Sequence, residues 1–116
     1  MPHFIIDCSA NIVSKVQEQK ILATVFEATH STGLFEEADI KVRVNPYIRY
    51  EVGGKPTDFI HVFSYILEGR TNSEKSHLSQ AIVRSLVDLF PDVEFVASSI
   101  DEFTKVGYCN RHLITN

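Results

Sequence analysis

Only two cysteines, Cys8 and Cys109, occur in the 116 residues. Two do not make a disulfide framework, and their spacing matches no zinc pattern, so a reduced, cytoplasmic setting is expected. The five histidines, His3, His30, His61, His77 and His112, are scattered without metal-ligand spacing, and no metal is expected. No apolar run approaches the length that spans a bilayer. The first residues also lack the basic-then-apolar order of a secretory signal. Neither a membrane partner nor export is therefore expected. Cationic excess is missing as well: the formal net charge is −4, which argues against a nucleic-acid partner. Gly53-Gly54 is too short and wrongly placed to cradle phosphate, and residues 105–111 are too sparse in charge for a basic patch. A small anion can still bind wherever the few cations converge.

What is present is ordinary for a folded protein. Hydrophobic residues make up 44% and charged residues 22% of the chain, which excludes disorder. The length predicts a single domain over 1–116, burying roughly two-thirds of its unfolded surface.

Alternation over residues 3–8 predicts a strand with Phe4, Ile6 and Cys8 on one face and His3, Ile5 and Asp7 on the other. Ser9-Ala10-Asn11 breaks it, and residues 12–19 read as an irregular connection. From about 20 to 31, Ile21, Leu22, Val25, Phe26 and Ala28 form a helical stripe, with Gly33 placed to end it. Residues 40–44 predict a short strand that Asn45-Pro46 interrupts, followed by an extended 47–52 and a Gly53-Gly54 turn. Residues 58–67 are apolar on both faces, as in a central strand covered on each side. Thr71-x-x-Glu74 has capping-box spacing, with Asn72 and Ser73 as competing caps. Leu78, Ile82, Leu86 and Phe90 then mark a helix that Pro91 stops. Residues 92–99 predict a last strand, Val93, Phe95 and Ala97 alternating with Glu94 and Val96. The tail 100–116 carries Phe103, Val106 and Leu113, which need a surface to cover.

The order is strand, helix, strand, repeated once without obvious sequence repetition. Parallel strands within each unit require right-handed crossovers. Two such units predict an α/β chain, an α+β two-layer sandwich with a four-stranded sheet and two helices on one face. The second face of 58–67 is too apolar for water, so self-association is expected.

Pro2 heads the first strand. If Met1 is trimmed, Pro2 becomes a terminus with a secondary amine. Desolvation and nearby cations lower an amine's pKa, and a neutral amine near working pH is a competent general base. On position alone, a proline here usually means only a tidy, unreactive N-terminus.

The opening Pro2-His3-Phe4-Ile5-Ile6-Asp7-Cys8-Ser9-Ala10-Asn11-Ile12 resembles that of the 5-carboxymethyl-2-hydroxymuconate isomerases, members of the tautomerase superfamily. The resemblance continues at Thr32-Gly33-Leu34-Phe35, at Ile40-Lys41-Val42-Arg43-Val44, at Asp58-Phe59-Ile60-His61-Val62 and at Gly69-Arg70-Thr71. It covers residues 2 to about 90. It implies a tautomerase-like homotrimer with sites at subunit boundaries and no cofactor. It also implies a proline amine that shuttles a proton within an enol or dienol acid, and arginines that hold a small anionic mono- or dicarboxylate. Carried over, the proline is Pro2 and the arginine before the second helix is Arg70.

The family pattern has two arginines two residues apart in the second strand, whereas here the pair is Lys41 and Arg43. Lysine keeps the charge but loses the planar fork that grips a carboxylate through two bonds. Lys41 and Arg43 are both candidates for that grip. The competing reading has them paired with Glu37 or other carboxylates across a subunit boundary, and Arg70 as a mere strand-to-helix corner. The activity implied is isomerisation of unsaturated 2-hydroxy or 2-keto acids of the 5-carboxymethyl-2-hydroxymuconate kind. Alternatives are a phenylpyruvate-type keto–enol tautomerase and a non-catalytic trimeric binding module.

Overall fold

The computed structural model describes residues 1–114; the tail expectation runs on to Thr115 and Asn116, which lie outside the described residues. Strand β1 (His3–Ser9) obeys its alternation: Phe4, Ile6 and Cys8 are buried, while His3, Ile5 and Asp7 sit half-buried on the other face.

The expected irregular connection is instead a short helix, α1 (Ala10–Lys15). Its anchors are distant in sequence. Ser9 and Asn11 donate from their side chains to the Asp58 carboxylate at 3.0 and 3.2 Å, and Ile12 fills the core. Helix α2 (Glu18–His30) follows, starting two residues before the expected position and burying Ile21, Val25, Ala28 and Thr29. Gly33 then takes a φ of 74°, a left-handed conformation that favours glycine.

Strand β2 (Lys41–Tyr47) runs through Asn45-Pro46, so the expected interruption does not occur. Its position explains why. Sheet order is β2-β1-β3-β4, with β3 (Phe59–Leu67) central, and an edge strand tolerates a residue without an N–H. Beyond it, Val52 and Lys55 bridge across Gly53 and Gly54, whose φ values of 59° and 77° suit a tight hairpin turn.

Helix α3 (Asn72–Leu89) begins with a complete capping box on Thr71 rather than on Asn72 or Ser73. The Thr71 hydroxyl accepts from the Glu74 N–H at 3.1 Å, and the Glu74 carboxylate accepts from the Thr71 N–H at 2.9 Å. Strand β4 (Phe95–Phe103) starts later and runs further than the sequence suggests. Its nine residues match the nine of β3, and the pairing turns Val96 and Ile100, not Phe95 and Ala97, toward the core.

Pairs β1–β2 and β3–β4 are parallel, and β1–β3 is antiparallel. Helices α2 and α3 cover one face, where Phe4, Ile6, Ile60, Val62 and Ile66 meet Ile21, Val25, Leu78, Ile82 and Leu86. Each such side chain contributes roughly 1.5–3 kcal/mol through burial. The expected two-layer architecture is therefore present. The opposite face carries His3, Ile5, Lys41, Arg43, Phe59, Phe63, Tyr65, Phe95 and Phe103, the last two 45% and 40% exposed. Val106 and Leu113 of the tail are exposed too, at 96% and 59%, so the described chain does not cover them. No described helix is long and apolar enough to cross a membrane.

Candidate active site

Register carries the chemistry-bearing residues to one end of the sheet. Strands β1 and β2 are parallel and paired from His3 opposite Lys41, so both begin at this edge. The Lys41 N–H donates to the Pro2 carbonyl at 3.2 Å. Strand β3 is antiparallel to β1, with Tyr65 opposite His3, and so it ends here and hands over to Arg70.

Pro2 is buried, and with Met1 attached its nitrogen lies within a peptide bond. The terminal amine on Met1 is held below its ordinary value. Burial is the largest cause, followed by the Lys41 charge and a hydrogen bond with Lys41; Asp39 acts in the opposite sense.

Lys41 is exposed on the open sheet face, where its Nζ donates to the Asp39 carbonyl at 2.8 Å. Arg43 shares that face one pleat further along, and its Nη1 meets His3 Nδ1 at 3.0 Å. Among the described residues neither cation is paired with Glu37; the ion pairs are Lys15–Asp58 and Lys75–Glu102.

Arg70 is half-buried and already engaged. Its Nη2 donates to the Leu34 carbonyl at 2.6 Å, and its guanidinium carbon lies 5.2 Å from the centre of the Phe35 ring. Phe35 in turn meets Phe4 edge-on at 5.9 Å. Arg70 thus ties the β3–α3 corner to the loop after Gly33. Lys41 and Arg43 meet the start of β1 directly; the polar contact of Arg70 goes to Leu34.

The remaining candidates behave as satisfied or inert groups. His61 Nε2 bonds Ser99 Oγ at 2.8 Å, and its ring stacks on Phe63 at 4.2 Å. Burial, with smaller contributions from Asp7 and Glu18, pushes the Cys8 thiol up to about 11. No group of three or more His, Cys, Asp or Glu among the described residues is arranged to hold a metal. A concavity of about 360 Å³ lies at the opposite end of the sheet, walled by Asp7, Tyr47, Tyr50, Phe59 and Phe95. It includes none of Pro2, Lys41, Arg43 or Arg70.

Sequence reasoning passed over His3. The signal was its place directly after Pro2 on the non-core face of β1. Its contact with Arg43 depends on a strand register that the sequence does not display.

The sequence matches the model of the 5-carboxymethyl-2-hydroxymuconate isomerase family over residues 2–99. No curated protein matches it. Three solved structures illustrate the likeness. A 5-carboxymethyl-2-hydroxymuconate isomerase from Deinococcus radiodurans R1 superposes with a TM-score of 0.81 at 18% identity, covering 95% of this chain and 88% of that one. A fused 4-OT symmetric trimer gives 0.81 at 12% identity, with 97% of each chain covered. N1, a member of the cis-3-chloroacrylic acid dehalogenase family, gives 0.75 at 15% identity, covering 94% of this chain and 80% of the other. At such identities the structural likeness establishes a shared fold.

Proposed function

The chain belongs to the 5-carboxymethyl-2-hydroxymuconate isomerase family and is an isomerase; from that premise we propose that it moves a proton within an unsaturated 2-hydroxy or 2-keto carboxylic acid, using the amine of Pro2 as the shuttle. Once Met1 is removed, the secondary amine takes a proton from one position of the dienol or enol acid and returns it to another. The amine is regenerated, nothing is oxidised or reduced, and no cofactor is required. Lys41 and Arg43 bind the carboxylate on the open face, and Arg70 grips the substrate and also supports the negative charge that develops in the transition state.

The observation that carries this reading is the electrostatic setting of the chain start. The Met1 amine, one residue before Pro2, is depressed by burial and by Lys41, and an amine on Pro2 would meet the same kind of influences, which keep a base neutral. A bound anionic substrate opposes the Lys41 effect, so the amine becomes more basic when substrate arrives. The acids are those met in the breakdown of aromatic compounds, in the cytoplasm.

Assembly as a homotrimer completes the proposal. The fused 4-OT trimer shares this fold, and the open face offers Phe59, Phe63, Tyr65, Phe95 and Phe103 for a neighbouring copy to cover. Sites would then lie at subunit boundaries. Lys41 favours one second reading. A point charge in place of a fork grips a carboxylate less tightly, which fits preference for a different acid, as in phenylpyruvate-type keto–enol exchange.

Two measurements test the reading. Intact mass of the native protein reports whether Met1 is gone; its retention removes the secondary amine and leaves a binding module. Processed protein is then assayed on 2-hydroxymuconate-type dienols and on phenylpyruvate beside a Pro2→Ala variant. Undiminished turnover in that variant would exclude Pro2 as the base.

A further inference from the structure

His3 and Arg43 lie next to each other on the open sheet face, from neighbouring strands, with Arg43 Nη1 3.0 Å from His3 Nδ1. A guanidinium has five N–H donors and no acceptor. The contact therefore requires a lone pair on Nδ1, which fixes His3 as the neutral Nε2–H tautomer. An imidazolium at this position would turn donor against donor and cation against cation.

The groups around the ring act in the same direction. Strand β2 presents Lys41 and Arg43, β3 presents Tyr65 opposite His3, and the terminal amine precedes it in the chain. Burial, then Arg43, Lys41 and that amine, hold His3 below its ordinary value. Asp7 lies two pleats away on the same face of β1, and Asp39 is bound to Lys41 through its carbonyl.

With one Nη1–H taken by His3, the Nε and Nη2 donors of Arg43 still form the planar edge that matches a carboxylate. Lys41 has no such edge.

Granted the isomerase reading above, on which this rests, we propose that His3 is a positioning residue whose neutral imidazole holds Arg43 across the sheet face, so that Arg43 rather than Lys41 supplies the two-bond grip on the substrate carboxylate. Acidification protonates His3, breaks the contact and frees Arg43 to swing away. Substrate affinity then falls, an effect on KM separate from the protonation of the Pro2 amine that acidification also brings.

The test compares His3→Ala and His3→Asn with the wild type, all in processed form. The Oδ1 of asparagine reaches the position of Nδ1, accepts from Arg43 and does not titrate in this range. His3→Ala is expected to raise KM for a 2-hydroxymuconate-type dicarboxylate about tenfold with kcat little changed, the size of one charge-assisted bond. His3→Asn is expected to restore KM and to abolish its rise at acid pH. Equal impairment in the two variants, or an unchanged KM in His3→Ala, overturns the proposal.

Two readouts need no turnover. Imidazole ¹⁵N shifts are expected to report the Nε2–H tautomer, with His3 titrating at higher pH in Arg43→Met. Adipate, followed by NMR titration, is expected to bind about tenfold more weakly to His3→Ala and normally to His3→Asn. An Nδ1–H tautomer, or adipate binding indifferent to His3, refutes the positioning role even in an active enzyme. An inactive protein that passes both readouts refutes the isomerase reading alone.

Discussion

Replacing Arg70 with methionine separates its two candidate roles, because the structure already gives this arginine a mechanical duty. Methionine keeps the apolar stem and removes the charge and the donors. The bond lost is charge-assisted, from Nη2 to the Leu34 carbonyl at 2.6 Å. Such bonds contribute about 1.5–3 kcal/mol, toward the lower end here because Arg70 is only half-buried. The guanidinium 5.2 Å from the Phe35 ring adds about 0.5–1 kcal/mol. One group makes both contacts, so the expected loss is about 2 kcal/mol. For a chain of this length that is a fall in Tm of about 8 °C, or in urea midpoint of about 1 M, compared at equal protein concentration. Arg70→Lys should recover part of the loss, since it returns the charge without the planar fork. A double-mutant cycle with Phe35→Leu should show a coupling of about 0.5–1 kcal/mol. Kinetics measured on the same proteins decide the rest. If Arg70 also binds substrate, KM rises and kcat falls together. If stability drops while both constants stay fixed, Arg70 is a corner brace and the substrate role is refuted. A stability change under about 0.5 kcal/mol would instead refute the brace.

Four further outcomes follow from the capping box and from Cys8. Thr71→Ala removes the α3 cap and should cost about 1 kcal/mol in denaturant titrations. The carboxyl of Glu74 is held below its ordinary value, first by the Thr71 N–H, then by the Thr71 hydroxyl and the Arg70 charge. A lowered carboxyl pKa stabilises the fold above the ordinary value of 4.5, and that advantage is lost as pH falls through the folded one. Wild type should therefore exceed Glu74→Gln in stability at neutral pH and converge with it in acid. In a Cys109→Ala variant the remaining thiol, Cys8, should resist thiol reagents at pH 8 until the protein is unfolded, because its pKa is pushed up to about 11. The raised value also means that stability declines between about pH 9 and 11, where the unfolded thiol ionises first. Rapid native labelling of Cys8 would contradict its burial.

Legibility from sequence followed whether the cause was local. Alternation in β1, the apolar, branched and aromatic run of β3, the stripe of α3 and the Thr71-Glu74 box depend on neighbours within a few residues, and each element formed as read. Helix α1 was hidden because Asp58, nearly fifty residues away, holds its first turn. Pro46 misled because its tolerance depends on β2 lying at an edge, a property of the whole sheet. The span of β4 was set by the length of β3, and no residue in 99–103 announces a strand by itself. For the site, the conjunction of Pro2 with Lys41 and Arg43 was visible as residue types, whereas the His3–Arg43 contact and the attachment of Arg70 to Leu34 arise from register and loop packing.

The antiparallel junction of β1 and β3 gives the sheet an approximate twofold, so the head of each unit lies at an opposite end. The counterpart of Pro2 at the head of β3 is Asp58. One head carries a residue that trimming can convert into an amine; the other, locked inside the chain, carries a carboxylate bonded to Ser9 and Asn11. The twofold thus supplies two equivalent stages, and covalent connectivity casts them differently. An architecture that repeats itself in space is chemically polar, with a basic terminus at one pole and an acidic rivet at the other. Circular permutation that opened the chain before Asp58 and joined the old ends would leave the fold's outline intact and abolish the pole on which the proposed chemistry depends.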